Sequence, residues 1–133
     1  ATKDMDGVKE WISLVQKSYE RYGYGPWALI HKSTNQFLGY CGLYLQEDVD
    51  CTDEVEILYG LTRQNWGKGY ATEAASGVFE YGRDKLNLNR FVSLIAPDNI
   101  RSIRVAEKIG MKFEKEVYRW DRKYRVYSMA VSR

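Results

Sequence analysis

The chain has 133 residues, 44% of them apolar, and its 20 Lys plus Arg against 18 Asp plus Glu leave a formal charge of +2. That length supports one globular domain, residues 1–133, burying roughly two thirds of its unfolded surface, and Cys41, Cys51 and the single His31 are too few for a zinc or His-cluster centre, so no metal and reduced thiols are expected. No apolar run approaches the ~18 residues that cross a bilayer, Ala1 to Asp6 lack the apolar core of a signal peptide, and +2 exerts no strong pull on nucleic acid, so a cytoplasmic protein with neither membrane nor nucleic-acid partner is expected.

Val8, Trp11, Ile12, Val15 and Tyr19 recur at helical spacing, after an Asp cap at Asp4 or Asp6 and before Gly23 and Gly25, which predicts an amphipathic helix over 7–22. Pro26 blocks its continuation, and Trp27 to Lys32 leads through Ser33-Thr34-Asn35-Gln36 into Phe37 to Leu45, a predicted β-hairpin. Glu47 to Asp53 reads as an acidic, solvated loop. Residues 55–62 follow as a central strand, with a bulge expected at Gly60. Beyond the loop 63–70, Ala71, Ala74, Ala75, Val78, Phe79, Gly82 and Leu86 are spaced as one buried side of a helix. Phe91 to Ile95 is a further strand, broken by Ala96-Pro97-Asp98-Asn99. Residues 100–109 form a predicted helix closed by Gly110, and 111–120 and 124–131 two strands around an Asp121-Arg122-Lys123 turn. The order helix, hairpin, strand, helix, strand, helix, hairpin, without repeat or linker, predicts one mixed α/β domain.

The loop from Gln64 to Gly69 is the most informative stretch. Gly67 and Gly69 let the backbone approach a ligand closely, while the helix that follows turns free N–H groups and its positive dipole end toward it, a setting that suits phosphate. The same glycines would equally serve a tight strand-to-helix turn. A Walker A loop is excluded because Lys68 is followed by Gly69 and the upstream Gly position holds Thr62, and a Rossmann G-x-G-x-x-G fails at Thr72.

The string Gln64-Asn65-Trp66-Gly67-Lys68-Gly69-Tyr70-Ala71-Thr72-Glu73-Ala74 resembles the acetyl-CoA pyrophosphate loop of the GNAT N-acetyltransferases, [RQ]-x-x-G-x-[GA], in its strand-loop-helix setting. Asn99 to Met111 resembles the family's later helix, especially in the branch that acetylates N-terminal alanines of ribosomal proteins and related amines. The resemblance spans Trp27 to Arg133. It implies the GNAT fold: a mixed central sheet flanked by helices, in which two neighbouring parallel strands, 55–62 and 91–95, splay apart to admit the pantetheine arm. It further implies that backbone groups of Leu61 and Thr62 pair with pantetheine, that amides from Gln64 through Gly67, Lys68 and Gly69 to Tyr70 bind the pyrophosphate, and that Asn99 hydrogen-bonds the pantetheine. Asn99 would serve equally as a helix N-cap, and the two roles can coexist.

Activity in this family is direct transfer of acetyl from acetyl-CoA to a primary amine, either a protein N-terminus or a small-molecule amine. The amine must lose a proton, the oxyanion needs positioned N–H groups, and the departing thiolate needs a proton or hydrogen bond. Glu56 matches the position from which several relatives supply a carboxylate base, although a carboxylate there also fits a solvated or ion-paired strand-edge charge. Backbone N–H groups around Tyr59 to Leu61, freed by a bulge at Gly60, would meet the oxyanion. Many relatives place a Tyr seven residues after the Asn, where this chain has Ala106. Ser102 is the nearest hydroxyl and substitutes as the thiolate's partner, or bonds only its own backbone. Tyr59, Tyr118, Tyr124 and Tyr127 could also face the site.

The resemblance also implies a strand and helix ahead of the region matching 7–22, where this chain has only a few residues. Its front end is therefore expected to be truncated, leaving strand 27–32 as a sheet edge that a second copy could cover in a homodimer. Cys41 near His31 could form an acyl relay, but direct transfer needs no nucleophile and a packed or surface thiol is the simpler reading. Two other functions compete. One is a catalytically silent acyl-CoA-binding module, consistent with Ala106 and the short front; the other is RNA or ribosome association through the basic, aromatic segment 119–133, which also reads as a solvated hairpin face.

Overall fold

A computed structural model of the chain describes residues 5–132, with side chains from residue 9 onward. Helix α1 (Met5–Tyr22) is followed by strands β1 (Pro26–Ile30), β2 (Phe37–Val49) and β3 (Thr52–Leu61). Helix α2 (Tyr70–Asp84), strand β4 (Arg90–Ile95), helix α3 (Ile100–Lys108) and strands β5 (Lys112–Arg119) and β6 (Arg122–Ala130) complete the order. The succession of elements is the one expected from the sequence. The strands form a single sheet in the order β1-β2-β3-β4-β6-β5, antiparallel throughout except for β3 against β4.

Two turns differ from expectation. The acidic stretch is not a loop: β2 and β3 continue through it and meet at a two-residue turn, Asp50-Cys51, both at positive φ, between the paired Val49 and Thr52. Val49 is the cause. Fully buried, it packs with Val92, Val117 and Val126, so one apolar side chain carries the strand through a charged segment whose other residues face water. Likewise the last hairpin turns at Trp120-Asp121, both at positive φ, with Arg119 paired to Arg122, rather than at 121–123.

Because strand side chains alternate between faces, the sheet buries two apolar clusters. On one face Leu43, Ile57, Phe91, Ile95 and Tyr127 pack with Ala75 and Val78 of α2 and with Ile103 and Ala106 of α3. On the other lies the valine cluster, joined by Leu94 and Tyr124. Gly23, at φ 76, ends α1, with its N–H on Tyr19 O, and Ser18 Oγ donates to Tyr24 O at 2.6 Å. Among the described residues no helix is long and apolar enough to cross a membrane.

Strands β3 and β4 meet at a single register pair, Glu56 with Val92, whereas β4 and β6 pair from Arg90↔Ala130 to Ile95↔Arg125. The middle of the sheet therefore opens toward the C-terminal ends of the parallel pair β3 and β4, the place where ligands enter open α/β sheets.

Candidate acetyl-transfer site

The open end of β3 and β4 leads into a cleft of about 620 Å³ walled by β3, the β3–α2 loop and α3. A smaller space of about 230 Å³ lies in the gap itself, reaching Glu56, Ser93 and Tyr124, and shares Tyr59, Asn99 and Ser102 with the larger cleft.

The loop side of the cleft is built for an anion. Gly67 and Gly69 hold φ of 76° and 82°, which other residues adopt at a cost, and a Cβ at either would meet no protein atom within 4 Å. The protein does not need the glycines for its own packing; the free space lies where a ligand would approach the backbone. Gly69 is also the N-cap of α2 and offers no side chain, so the first amides of that helix have no capping partner and face outward with the positive end of the dipole. Opposite, α3 contributes Arg101, Arg104 and Lys108. Arg101 stacks over the indole of Trp66 at 4.1 Å, with Arg63 at 5.7 Å from the same ring.

Gly67, Gly69, Tyr70, Leu61, Asn99 and Ser102 all line the cleft, while Gln64 and Lys68 are exposed and lie outside its lining, as does Thr62. The backbone of Thr62 is committed elsewhere, its N–H to Leu38 O at 2.9 Å and its C=O to Asn65 N–H at 2.9 Å. Since alternate amides of an antiparallel strand face opposite neighbours, this bond and the register from Gly39↔Leu61 to Gln46↔Glu54 turn the amides of Leu58 and Gly60 toward β2. Those of Tyr59 and Leu61 face the gap. The register is unbroken at Gly60, so these amides are released by the divergence of β4 and not by a bulge. Gly60 has a different reason to be glycine: the ring of Tyr40 covers it, 2.6 Å from where a Cβ would stand.

Glu56 sits at the closed end of the gap, where β3 and β4 still pair, and is 8% exposed. Its Oε2 accepts the Leu94 N–H at 2.8 Å and its Oε1 the Gln46 amide at 2.8 Å. Burial raises its pKa above the ordinary carboxylate value, against the lowering effect of those hydrogen bonds and of the Arg119 charge. The carboxylate is therefore buried and hydrogen-bonded at both oxygens, and not a solvated or ion-paired strand-edge charge. Asn99 caps α3 with its Oδ1 on the Ser102 N–H at 3.2 Å, which leaves its Nδ2 for a ligand. Tyr59 donates its phenol proton to Ser102 O at 2.7 Å, and burial, with Glu56 nearby, pushes its pKa up. The pair places two hydroxyls at the junction of cleft and gap. Ala106 is fully buried.

Trp66, Arg101, Arg104 and Lys108 were not singled out from the sequence; a helical wheel of 100–108 groups the last three on one side, but nothing local shows that this side faces the loop. Cys41 is fully buried with its thiol pushed up to about 12 by burial, and His31 Nδ1 accepts amide protons from Ser33 and Thr34 in the turn after β1. Neither is set up for an acyl relay. Tyr124 borders the gap, Tyr118 is exposed and Tyr127 is buried in the core.

The family profile described as "Acetyltransferase (GNAT) domain" matches residues 1–112. The chain is a GNAT acetyltransferase domain. It is 38% identical over 125 residues to the uncharacterized protein YkkB of Bacillus subtilis (strain 168), covering 94% of this chain and 72% of YkkB. To the uncharacterized N-acetyltransferase p20 of Bacillus licheniformis it is 36% identical over 113 residues, 85% of this chain and 61% of p20. Among solved structures, an acetyltransferase from Agrobacterium tumefaciens str. C58 superposes with a TM-score of 0.86 at 25% identity, covering 98% of this chain and 75% of that one. The aminoglycoside acetyltransferase AAC(6')-Ib in complex with coenzyme A gives 0.79 at 19% identity over 98% and 78%, and the ribosomal-protein-S5-alanine acetyltransferase of Vibrio fischeri 0.75 at 15% over 97% and 76%. The last two share its GNAT fold. Their names point to acceptors as different as an aminoglycoside and an alanine of ribosomal protein S5.

Proposed function

We propose that this GNAT domain transfers acetyl from acetyl-CoA to a primary amine. The observation that carries the reading is the continuity of three features: an anion cradle at Gly67, Gly69 and the uncapped start of α2, a cleft beside it, and a gap between parallel strands with a buried carboxylate at its closed end. Acetyl-CoA has a matching shape, a polyanionic head and a thin arm ending in the thioester. The cradle would hold the pyrophosphate, the amides of Tyr59 and Leu61 with Asn99 Nδ2 would hold the arm, and the cosubstrate would supply the activated acetyl group.

In the reaction the amine nitrogen attacks the thioester carbonyl, the carbonyl oxygen takes up negative charge, and the C–S bond breaks to release CoA as thiolate. Glu56 accepts the ammonium proton, directly or through one water, and the burial that raises its pKa makes its carboxylate a stronger base. A gap-facing backbone amide stabilises the oxyanion. Ser102 Oγ, beside the Tyr59 phenol, donates a hydrogen bond or proton to the sulfur. The resemblance of Asn99 to Met111 to the ribosomal N-terminal-alanine branch favours a protein N-terminus or a small amine as acceptor.

Buried Ala106, which puts no hydroxyl where many relatives carry one, favours a second reading, a domain that binds acyl-CoA without turnover. Calorimetric titration with acetyl-CoA, followed by a free-thiol assay against amines and N-terminal peptides, separates the two. Binding with amine-dependent thiol release is expected. Binding without release on any amine would favour the silent module, and absence of binding would reduce the Gln64 to Gly69 loop to a turn.

A further inference from the structure

The gap between β3 and β4 raises an accounting question that the transfer reaction does not answer. Two adjacent parallel strands that already pair at Glu56↔Val92 gain a hydrogen bond for each further rung, so something must keep the next rung from closing. In a parallel ladder continued from this pair, that rung would join the Leu94 N–H to the Ile57 C=O, because the Ile57 carbonyl, like its amide, faces β4.

Both halves of that rung are occupied by side chains. Ser93 Oγ donates to Ile57 O at 2.7 Å, and Glu56 Oε2 accepts the Leu94 N–H at 2.8 Å. Ser93 is 2% exposed, and Glu56 is held in turn by Gln46 through its other oxygen. Neither backbone group is left without a partner, so opening the sheet here costs no orphaned donor or acceptor. Past this point the amide of Tyr59 faces the space it shares with Ser93 and Leu94, and that of Leu61 faces the larger cleft.

We infer that Ser93 and Glu56 form a wedge that dismantles one rung of the β3–β4 ladder and holds the gap open for the arm of an acyl-CoA. Ser93 is a positioning residue: it touches β3 backbone, and it acts on the ligand by keeping the gap at its open width. The inference rests on the acetyl-CoA reading above. It adds that gap width is a property of the ligand-free fold, supplied by two side chains, and that the carboxylate assigned as base also serves as half of the wedge. Removing the Ser93 hydroxyl frees Ile57 O to recruit the Leu94 N–H and zip the strands by one rung.

The test separates the arm of the ligand from its head. Acetyl-CoA fills both cradle and gap, whereas adenosine 3′-phosphate 5′-diphosphate carries the phosphates and no pantetheine. Ser93→Ala, and Ser93→Cys as a near-isosteric variant with a weak donor, are each titrated with both probes, and folding is checked by circular dichroism. The wedge predicts that acetyl-CoA affinity falls about tenfold, the order expected for one buried hydrogen bond together with a narrowed gap, while affinity for the nucleotide is unchanged. Equal acetyl-CoA affinity in either folded variant overturns the wedge, as does a parallel loss for both probes, which would mark Ser93 as merely structural. If the unsubstituted chain binds neither probe, the acyl-CoA reading itself fails, an outcome distinct from failure of the wedge.

Discussion

Glu56 carries a conflict between stability and function that gives two measurable signs. Its pKa is raised in the folded state, by burial first, above the ordinary 4.5, so the folded protein binds its proton more tightly than the unfolded chain does. The favourable contribution is fully present below the unfolded value and is lost as pH rises through the folded one; at neutral pH the buried charge is a net cost. Glu56→Gln removes that charge while its amide can still meet Leu94 N–H and a reoriented Gln46. The variant is expected to melt higher than the parent at pH 7 to 8, by a few degrees for about 1 kcal/mol, with the difference vanishing on acidification. A lower melting temperature at neutral pH would show that the ionised form is the one the fold prefers. The same substitution is expected to leave acetyl-CoA affinity intact and to lower turnover by roughly 100-fold or more, the typical worth of a general base. That loss should be greatest above the raised pKa of Glu56 and below that of the amine, and should shrink on further acidification as the parent carboxyl itself protonates; an unaltered pH–rate profile would remove Glu56 as the base. Neither the burial nor the partners of this residue are visible in the string Val55-Glu56-Ile57; Gln46 lies ten positions away and Leu94 thirty-eight.

The proposed binding of acetyl-CoA rests most on the junction of the β3–α2 loop with α2. Its legibility was high because the requirement is local: two glycines at positive φ and a helix start without a capping side chain are written within six residues. Gly67→Asp places a carboxylate in the open space of the cradle, against the pyrophosphate, at a backbone angle that disfavours any side chain. Acetyl-CoA affinity is expected to fall by more than about tenfold, as a like charge within a few ångströms costs at least ~1 kcal/mol even in high dielectric. Affinity equal to that of the parent in isothermal titration would move the phosphates away from this loop. Strand boundaries were less legible, and for a physical reason. Val49 extends β2 and β3 through Glu47 to Asp53 by packing against Val92, Val117 and Val126, partners 43 to 77 residues away, and composition within the segment reads only as a charged loop.

Across the molecule, one fused sheet with an apolar cluster on each face leaves its two cysteines in opposite situations. Cys51, at a hairpin turn, is exposed, and Cys41, in the central β2 strand, is buried with its thiol pushed up to about 12. One thiol per chain is expected to react promptly with a disulfide reagent in the folded protein and two in denaturant. Prompt reaction of both without denaturant would contradict the packing of β2 under α2. The kinds of element and their order were legible in the sequence because they depend on periodicity, caps and glycines close together in the chain, while the parallel pair around α2 and its divergence were implied only by the resemblance of two short strings, 64–74 and 99–111, to the GNAT family. The buried state of Glu56 with its partners Gln46 and Leu94, the unbroken register at Gly60 where a bulge was expected, and the basic ridge of Arg101, Arg104 and Lys108 facing the cradle were not legible there. Each of these is set by which groups are brought together from distant segments and kept from water, and hydrogen-bond partnership and desolvation exist only once the sheet has assembled.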